Sequence, residues 1–151
     1  MSKTFPEKIT EKLVIDSRLD AVIRARHWAA RRARAAGFDG DSVFAIELAV
    51  GEALTNAITH AYHGEAGHEI HLALTIDPDK LSLGIRDFGR KFDLSTYSPP
   101  DLDVPNEGGY GIFLMRQIMD EVIYDTSCNE GTCLELVKYR STRHRAQGSA
   151  K

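Results

Sequence analysis

The stretch EIHLALTIDPDKLSLGIRD, residues 69–87, is the clearest guide to the fold of this chain. Apolar side chains alternate with polar or small ones on either side of a DPDK turn at residues 77–80. This alternation predicts an antiparallel hairpin made of strands 69–76 and 81–87, with one apolar face. Such a face has to be covered by other elements of the chain.

Helices that can cover this face are predicted before and after the hairpin. Residues 17–36 and 43–62 carry apolar side chains at helical spacing, and residues 110–119 contain a further apolar run. Asp41 or Ser42 is available as the N-cap of the second helix. The predicted buried face of the first helix is Leu19, Val22, Ile23, Trp28 and Ala29. The predicted buried face of the second helix is Val43, Ile46, Val50, Ala53, Leu54 and Ala57.

Three further strands are predicted to extend the hairpin, at residues 9–15, 121–127 and 132–139. The predicted fold class is therefore α+β, a two-layer sandwich in which helices cover one face of a mainly antiparallel sheet. Residues 1–140 are predicted to form one domain, and the polar, basic segment 141–151 is predicted to be a disordered tail.

The composition argues against several classes of protein. The 151 residues are 42% hydrophobic and 27% charged, which is ordinary for one soluble domain. A net charge of −3 gives no sign of a nucleic-acid or anionic membrane partner. Neither a signal peptide nor a spanning helix is predicted, and Cys128 and Cys133 lack the spacing of a zinc site. A cytoplasmic protein with two reduced cysteines is expected.

Polar residues fall at the ends of predicted elements, where they can form a site. Glu52 and Asn56 lie one turn apart on the second helix, a spacing that suits a general base beside a Mg²⁺ ligand. Asp87 ends a strand on its apolar face, where a carboxylate needs a donor such as an adenine amine. Gly89 lets the backbone approach a flat ring, and the hydroxyl of Thr132 is predicted to face the same covered side.

The glycine-rich stretch GGYG, residues 108–111, opens the last predicted helix. Backbone N–H groups at such a helix start favour a phosphate. Taken singly, each feature has a simpler explanation, because Glu52 and Asn56 could form a solvated polar stripe and Asp87 could cap a turn. The combination is what indicates a nucleotide site.

In this order and spacing, the motifs resemble the Bergerat-type ATP-binding fold of the gyrase, heat-shock-90, histidine-kinase and mismatch-repair superfamily. Within it, the chain looks most like the small bacterial anti-sigma-factor serine/threonine kinases of partner-switching systems. The segments that carry this resemblance are EALTNAITH at 52–60, GYGIFL at 109–114 and MDEV at 119–122. The similarity covers residues 9–139. Lys91 is a departure, since many superfamily members have a second glycine at this position.

The resemblance implies a role for each matching position. Asn56 would hold Mg²⁺ and the phosphates, Glu52 would act as general base, and Asp87 would bind adenine together with Thr132. Residues 90–107 would form a mobile ATP lid. The nucleotide-binding positions implied are Asn56, His60, Asp87, Gly89, Lys91, Gly108, Gly109, Tyr110, Gly111, Ile112 and Thr132. For His60 an ordinary helix-end position is an equally good explanation, and Lys91 is open to either a phosphate contact or a place at the pocket mouth.

The function implied is that of an anti-sigma factor with kinase activity. Such a protein sequesters a sigma factor and uses ATP and Mg²⁺ to phosphorylate a STAS-type anti-anti-sigma protein on serine or threonine. The family also implies a homodimer that binds neither nucleic acid nor membrane. Two alternatives stay open: an ATP-binding regulator that sequesters a partner without phosphate transfer, and an ATPase or histidine-directed kinase core. Trp28 is either a docking residue or part of the core.

Overall fold

The computed structural model describes residues 8–91 and 110–140. In this part of the chain five strands form one sheet in the order β1-β2-β3-β5-β4, and every neighbouring pair is antiparallel. The strands are β1 Ile9–Asp16, β2 Glu69–Ile76, β3 Lys80–Asp87, β4 Glu121–Asp125 and β5 Cys133–Tyr139. The helices are α1 Leu19–Ala35, α2 Gly40–Asn56 and α3 Tyr110–Ile118, and a π-helical turn Ala57–Ala61 follows α2 directly. The α+β sandwich is therefore confirmed.

The core lies between one face of the sheet and the helices. Leu72 pairs with Ile85, and Ile85 pairs with Leu134, so that these side chains form a row across three strands. All three are buried, as the alternation in the hairpin predicts. The outer-face neighbours Ala73 and Gly84 pair with each other on the opposite side of the sheet.

Helix α2 is the central helix and contacts both α1 and α3. Its predicted face is confirmed, because all six apolar positions are buried. By length and composition the stretch Gly40–Ala61 is apolar enough to cross a membrane, and 56% of its most apolar window is buried inside the fold. A helix in the middle of a protein core has this character as well.

The buried face of α1 differs from the prediction at two positions. Leu19 is 67% exposed and Ile23 is 50% exposed, whereas Ala21, Ala25 and the other alanines of this face are buried. The reason is that α1 packs closely against α2, and small side chains permit that approach better than large ones. Trp28 belongs to the core, where its indole N–H donates to Glu11 at 3.1 Å.

The start of α2 also differs from the prediction. The N-cap is Asp39, whose side chain accepts a hydrogen bond from the backbone N–H of Ser42 at 2.8 Å. The helix therefore begins at Gly40, and neither Asp41 nor Ser42 is its cap. Asp41 instead lies in the first turn, where a negative charge interacts favourably with the helix dipole.

The connection between β4 and β5 is longer than predicted. β4 ends at Asp125, because its carboxylate accepts hydrogen bonds from both the backbone N–H and the hydroxyl of Ser127. This local turn competes with the strand ladder. β5 begins at Cys133, and Thr132 therefore lies just before the strand. The predicted lid from residue 92 onward and the predicted tail 141–151 lie outside the described residues.

Candidate functional site

A pocket lies between α2, the π-helical turn and the ends of the central strands. It brings together Asn56 and His60 from the helical segment, Asp87 from the end of β3, and Thr132 from the start of β5. These residues are far apart in the sequence, and the fold alone makes them neighbours. The described residues that line the pocket are Ala53, Asn56, Ala57, His60, Ala61, Ile85, Asp87, Arg90, Tyr124, Thr132 and Leu134.

Asp87 is a buried carboxylate with a fixed orientation. Its side chain is on the helix-facing side of the sheet, and the residue is 7% exposed. Oδ1 accepts backbone N–H bonds from Gly89 and from Thr132, both at 3.2 Å. Burial raises the pKa of this carboxyl above its ordinary value, although the two backbone hydrogen bonds oppose that shift. Both hydrogen bonds go to the same oxygen, and among the described residues no hydrogen bond to Oδ2 is found.

Two glycines allow the backbone to close tightly around Asp87. Gly131 has φ +69, and a Cβ at this position would lie 2.0 Å from the carbonyl oxygen of Asp87. A Cβ at Gly89 would lie 2.3 Å from the carbonyl oxygen of Ala61. Real Cβ atoms do not come so close to other heavy atoms, so both positions need glycine. The end of β3 is thus in direct contact with the start of β5 and with the π-helical turn.

The π-helical turn shapes the other wall of the pocket. The N–H of Tyr62 donates to the carbonyl of Ala57 at 3.3 Å, five residues back. The carbonyl of Ala61 accepts instead from the N–H of Arg90 at 3.0 Å, which joins this turn to the chain after β3. Single π-helical turns occur frequently at functional sites. His60 is on this turn, is exposed and lines the pocket.

Tyr62 holds the same corner from outside the pocket. Its hydroxyl accepts from the N–H of Phe88 at 2.7 Å and donates to the carbonyl of Glu69 at 2.7 Å. Burial raises the pKa of this hydroxyl. Its ring stacks on His68 with the ring centres 4.5 Å apart. Sequence reasoning missed this role, because an aromatic residue at a helix end has no distinguishing periodicity.

The second end of the site lies where α2 meets α3. Glu52 and Asn56 are half-buried on α2, and Gly111 in the first turn of α3 lies against them. A Cβ at Gly111 would come 2.9 Å from Nδ2 of Asn56 and 3.1 Å from Oε2 of Glu52. Ile112, the next residue, is buried in the core and anchors this turn. The structure therefore brings the start of α3 against the predicted acid and amide.

The remaining glycine positions are only partly within the described chain. Tyr110 is the first residue of α3. Gly108 and Gly109 lie outside the described residues. Of the predicted phosphate-binding stretch 108–111, the structure therefore describes only the part that belongs to α3, at Tyr110 and Gly111.

Lys91 lies in a different place from the phosphate contact that the sequence left open for it. Its Nζ donates to the carbonyl of Thr126 at 2.6 Å, to that of Cys128, and to that of Gly131 at 3.5 Å. This ammonium group is bound to the connection between β4 and β5, because three main-chain carbonyls point at it. Arg90, which was not predicted, lines the pocket instead.

Tyr124 and Leu134 are further lining residues that sequence reasoning did not identify. They pair across β4 and β5, so both side chains face the pocket from the sheet. The alternation of polar and apolar residues in these strands could have indicated them. Which residues face the pocket, however, depends on how the two strands pair, and the sequence does not specify that register. Arg90 had no comparable signal beyond its position after Gly89.

Comparison with known families decides what kind of domain this is. The family profile of the histidine kinase-like ATPase domain matches residues 15–138. The chain belongs to this family. This match confirms the ATP-binding superfamily that the sequence motifs indicated.

Curated relatives of this ATPase domain include several serine-protein kinases named RsbW. That of Listeria monocytogenes is 35% identical over 114 residues, which span 69% of this chain and 70% of the relative. That of Bacillus velezensis is 34% identical over 111 residues, or 68% of each chain. Among solved structures, the mycobacterial sensor histidine kinase MprB matches with a TM-score of 0.50 and 20% identity. This match covers 87% of this chain and 98% of that structure, and it supports the fold alone.

Proposed function

We propose that this protein is an ATP-dependent serine/threonine kinase and anti-sigma factor of the partner-switching type. It sequesters a sigma factor and phosphorylates the STAS-type anti-anti-sigma antagonist of that complex. The name of its relatives, serine-protein kinase RsbW, supports the kinase activity. The observation that carries the proposal is the pocket that has Asn56 on one wall and Asp87 on another, with Glu52 and Gly111 beside Asn56.

The pocket has the chemistry expected of an adenine site. Ala53, Ile85 and Leu134 supply apolar walls, and Asp87 supplies one oriented carboxylate. A flat aromatic base with a single exocyclic amine satisfies both features, because it buries apolar area and gives the free Oδ2 a donor. Asp87 would accept from adenine N6, and Thr132 would assist through a shared water. Gly89 would border the ring.

The other end of the site suits the phosphates. Asn56 offers a neutral oxygen, a ligand type that Mg²⁺ accepts, and the start of α3 offers the positive end of a helix dipole. Gly111 has no side chain to fill the space beside Asn56. Mg²⁺ held by Asn56 would offset the negative charge of the phosphates during transfer. His60 and Arg90 would complete the wall around them.

Glu52 would be the general base of the transfer. Its carboxylate accepts the proton of the target serine or threonine hydroxyl as the hydroxyl oxygen attacks the γ-phosphorus. The bond between this phosphorus and the β–γ bridging oxygen breaks, and ADP leaves with the electron pair. The phosphorylated antagonist gains about −1.5 to −2 charges, which disfavours its interface with the kinase. The kinase is then available to hold the sigma factor.

We also propose that the protein acts in the cytoplasm as a homodimer and binds neither nucleic acid nor membrane directly. The net charge of −3 is compatible with this. Light scattering on the purified chain should give twice the monomer mass of 16.8 kDa. A monomer mass at micromolar concentration would refute the dimer and leave the kinase proposal standing.

The kinase activity is tested by phosphate transfer in vitro. The full chain is incubated with γ-phosphate-labelled ATP, Mg²⁺ and the STAS-type antagonist of the same organism. The expected result is label on a serine or threonine of the antagonist. Glu52→Gln should reduce the rate about 100-fold or more while ATP still binds. Glu47→Gln is the matched control, since this acid lies on the same helix but faces Arg26 of α1 at 3.5 Å.

Three outcomes of this assay have distinct meanings. Label that depends on Glu52 but not on Glu47 supports the kinase. Tight ATP binding without label on the antagonist contradicts it and favours a regulator that sequesters a partner without phosphate transfer. Absence of ATP binding contradicts the nucleotide site itself.

A further inference from the structure

The connection between β4 and β5 contains a feature that the kinase reaction does not use. Cys128 lies within this connection, and Cys133 is the first residue of β5. Between them lies the Gly131-Thr132 element, which contacts Asp87. Both thiols are free and half-buried.

The two cysteines lie close together at the start of β5. The Cys128 thiol contacts the carbonyl oxygen of Gly131 at 3.4 Å and that of Asp125 at 3.9 Å. Cys133 is directly opposite Asp125 in the β4–β5 ladder. The Cys128 thiol is therefore bound to the residue that pairs with Cys133 and to a residue two positions before Cys133. Cys128 is also one of the neighbouring groups that raise the pKa of Cys133.

We propose that Cys128 and Cys133 form a reversible dithiol–disulfide pair, through which a hydroperoxide weakens nucleotide binding. The first half of this inference concerns the two sulfur atoms alone. The second half rests on the proposed nucleotide site. Two reduced cysteines held close together in one chain are typical of transient, redox-sensing disulfides.

The oxidation proceeds in two balanced steps with hydrogen peroxide as the oxidant. The Cys128 thiolate attacks one peroxide oxygen, an S–O bond forms, the O–O bond breaks, and the departing hydroxide takes a proton to become water. The Cys133 sulfur then attacks the sulfenic sulfur of Cys128, the S–S bond forms, and the S–O bond breaks. The second hydroxide leaves with the Cys133 proton as water. Two thiols lose two electrons, and one peroxide gives two waters.

Cys133 is the resolving thiol in this sequence. Burial and the neighbouring Cys128 thiol raise the pKa of Cys133, so that it stays protonated before the second step. Cys128 lies in the connection between β4 and β5, where its thiol contacts the main-chain carbonyls of Asp125, Glu130 and Gly131. A small peroxide can reach it there because the residue is half-buried.

Closure of the disulfide has a direct route to the pocket. A disulfide holds its sulfur atoms about 2.05 Å apart, closer than two free thiols can approach each other, so the turn has to contract. Gly131 cannot move toward Asp87, because its backbone is already in close contact with the carbonyl of Asp87. The contraction therefore alters the Thr132–Asp87 hydrogen bond and the carbonyls that bind Lys91. These contacts orient the carboxylate proposed to bind adenine.

The test compares reduced and oxidised protein directly. The full chain is treated with a small excess of hydrogen peroxide and then analysed by intact mass and by alkylation of free thiols. The expected product is a single chain with no covalent link to another copy, about 2 Da lighter than the reduced chain, with no thiol left to alkylate. Calorimetry with ATP should give an affinity about fivefold or more weaker for the oxidised chain, restored by dithiothreitol. Cys133→Ser, treated in the same way, is the matched control and should keep its affinity.

Each result has a defined meaning. Two alkylatable thiols after peroxide treatment, or covalent dimers on a non-reducing gel, would contradict a disulfide between Cys128 and Cys133 of one chain. A disulfide with unchanged ATP affinity overturns the coupling to the pocket. Reduced protein that does not bind ATP refutes the proposed function instead, and the mass measurement still reports on the disulfide.

Discussion

The two ends of the pocket are built differently. At the proposed adenine end, Asp87, Gly131 and Thr132 are buried. The N–H of Thr132 donates to Oδ1 of Asp87, the N–H of Asp87 donates to the carbonyl of Thr132, and Gly131 lies close against the carbonyl of Asp87. At the phosphate end, Glu52 and Asn56 are half-buried. Both side chains lie against Gly111 of α3. This is a contact between two helices, and no strand pairing holds it in place. The proposed adenine end is therefore part of the folded core, whereas the proposed phosphate end consists of half-buried polar side chains at the edge of that core.

This difference predicts how stability and activity separate. Groups within a close-packed, hydrogen-bonded corner cost folding free energy when they change. Half-exposed groups on a helix that is already held by its apolar face cost little. Substitutions that add atoms at the proposed adenine end should thus affect unfolding and binding together, and those at the proposed phosphate end should affect the chemistry alone.

The largest effect is expected for Gly131→Ala. The substitution combines an unfavourable positive φ with a Cβ 2.0 Å from a main-chain oxygen, which cannot move away easily. We expect the free energy of unfolding in urea to fall by about 3 kcal/mol. Gly64→Ala is the matched control, because Gly64 has φ +78 with nothing within 4 Å of a Cβ, and it should cost only about 1 kcal/mol. Equal losses in the two variants would contradict a tightly closed adenine end.

Asp87→Asn should separate binding from folding within that same end. The asparagine oxygen can still accept from Gly89 and Thr132, which leaves an amide N–H₂ facing the adenine amine. We expect ATP affinity to fall about ten- to hundredfold, because a charged acceptor becomes a competing donor. Thermal unfolding without nucleotide should not occur at a lower temperature than in the wild type, because both backbone hydrogen bonds are kept. Wild-type affinity in calorimetry would remove Asp87 from the nucleotide site.

Gly111→Ala applies the same substitution as Gly131→Ala at the opposite end. The new Cβ meets the tips of the Asn56 and Glu52 side chains, which can rotate away, and alanine is the better helix former. The free energy of unfolding should therefore change by less than about 1 kcal/mol. Phosphate transfer should slow about tenfold, since the proposed general base Glu52 and the proposed metal ligand Asn56 are displaced. A loss of stability as large as that of Gly131→Ala would show that both ends are core.

The smallest expected effect is a pH dependence at the two ends of β3. Burial raises the pKa of Asp87, so its contribution to stability is present below about pH 3.9, the unfolded value, and is lost as pH rises through the folded pKa. Burial also acts to raise the pKa of Asp77, but hydrogen bonds from the backbone of Asp79 and Lys80 outweigh it and lower the pKa. The contribution of Asp77 is therefore present above the unfolded value and is lost as pH falls.

Urea unfolding of three proteins between about pH 3 and pH 6 measures these opposite signs. Asp87→Asn should gain stability relative to the wild type as pH rises, because it removes a carboxylate that is costly to ionise. Asp77→Asn should lose stability relative to the wild type over the same range. Parallel pH curves for the two variants would show that the ends of β3 do not differ in this respect.

Much of the fold could be predicted because it follows from local periodicity. The alternation in residues 69–87 specifies both strands and their buried face, and the apolar stripe of α2 specifies its orientation. The α1 stripe was wrong at Leu19 and Ile23, since contact with α2 rather than hydrophobicity selects the buried positions there. The ends of α2 and β4 were misplaced because the side chains of Asp39 and Asp125 set them.

The sequence by itself determined which chemical groups this protein possesses: an acid and an amide one helical turn apart, an acid that ends an apolar strand face, and glycines before a helix and a strand. Only the tertiary structure decided that Asn56 and Asp87 share a pocket, that Lys91 binds the β4–β5 connection, and that the Cys128 thiol contacts the residue opposite Cys133. The physical reason is that periodicity along a chain reports the face on which a residue lies. Proximity between elements depends on strand order, register and loop geometry, which arise when the whole core packs.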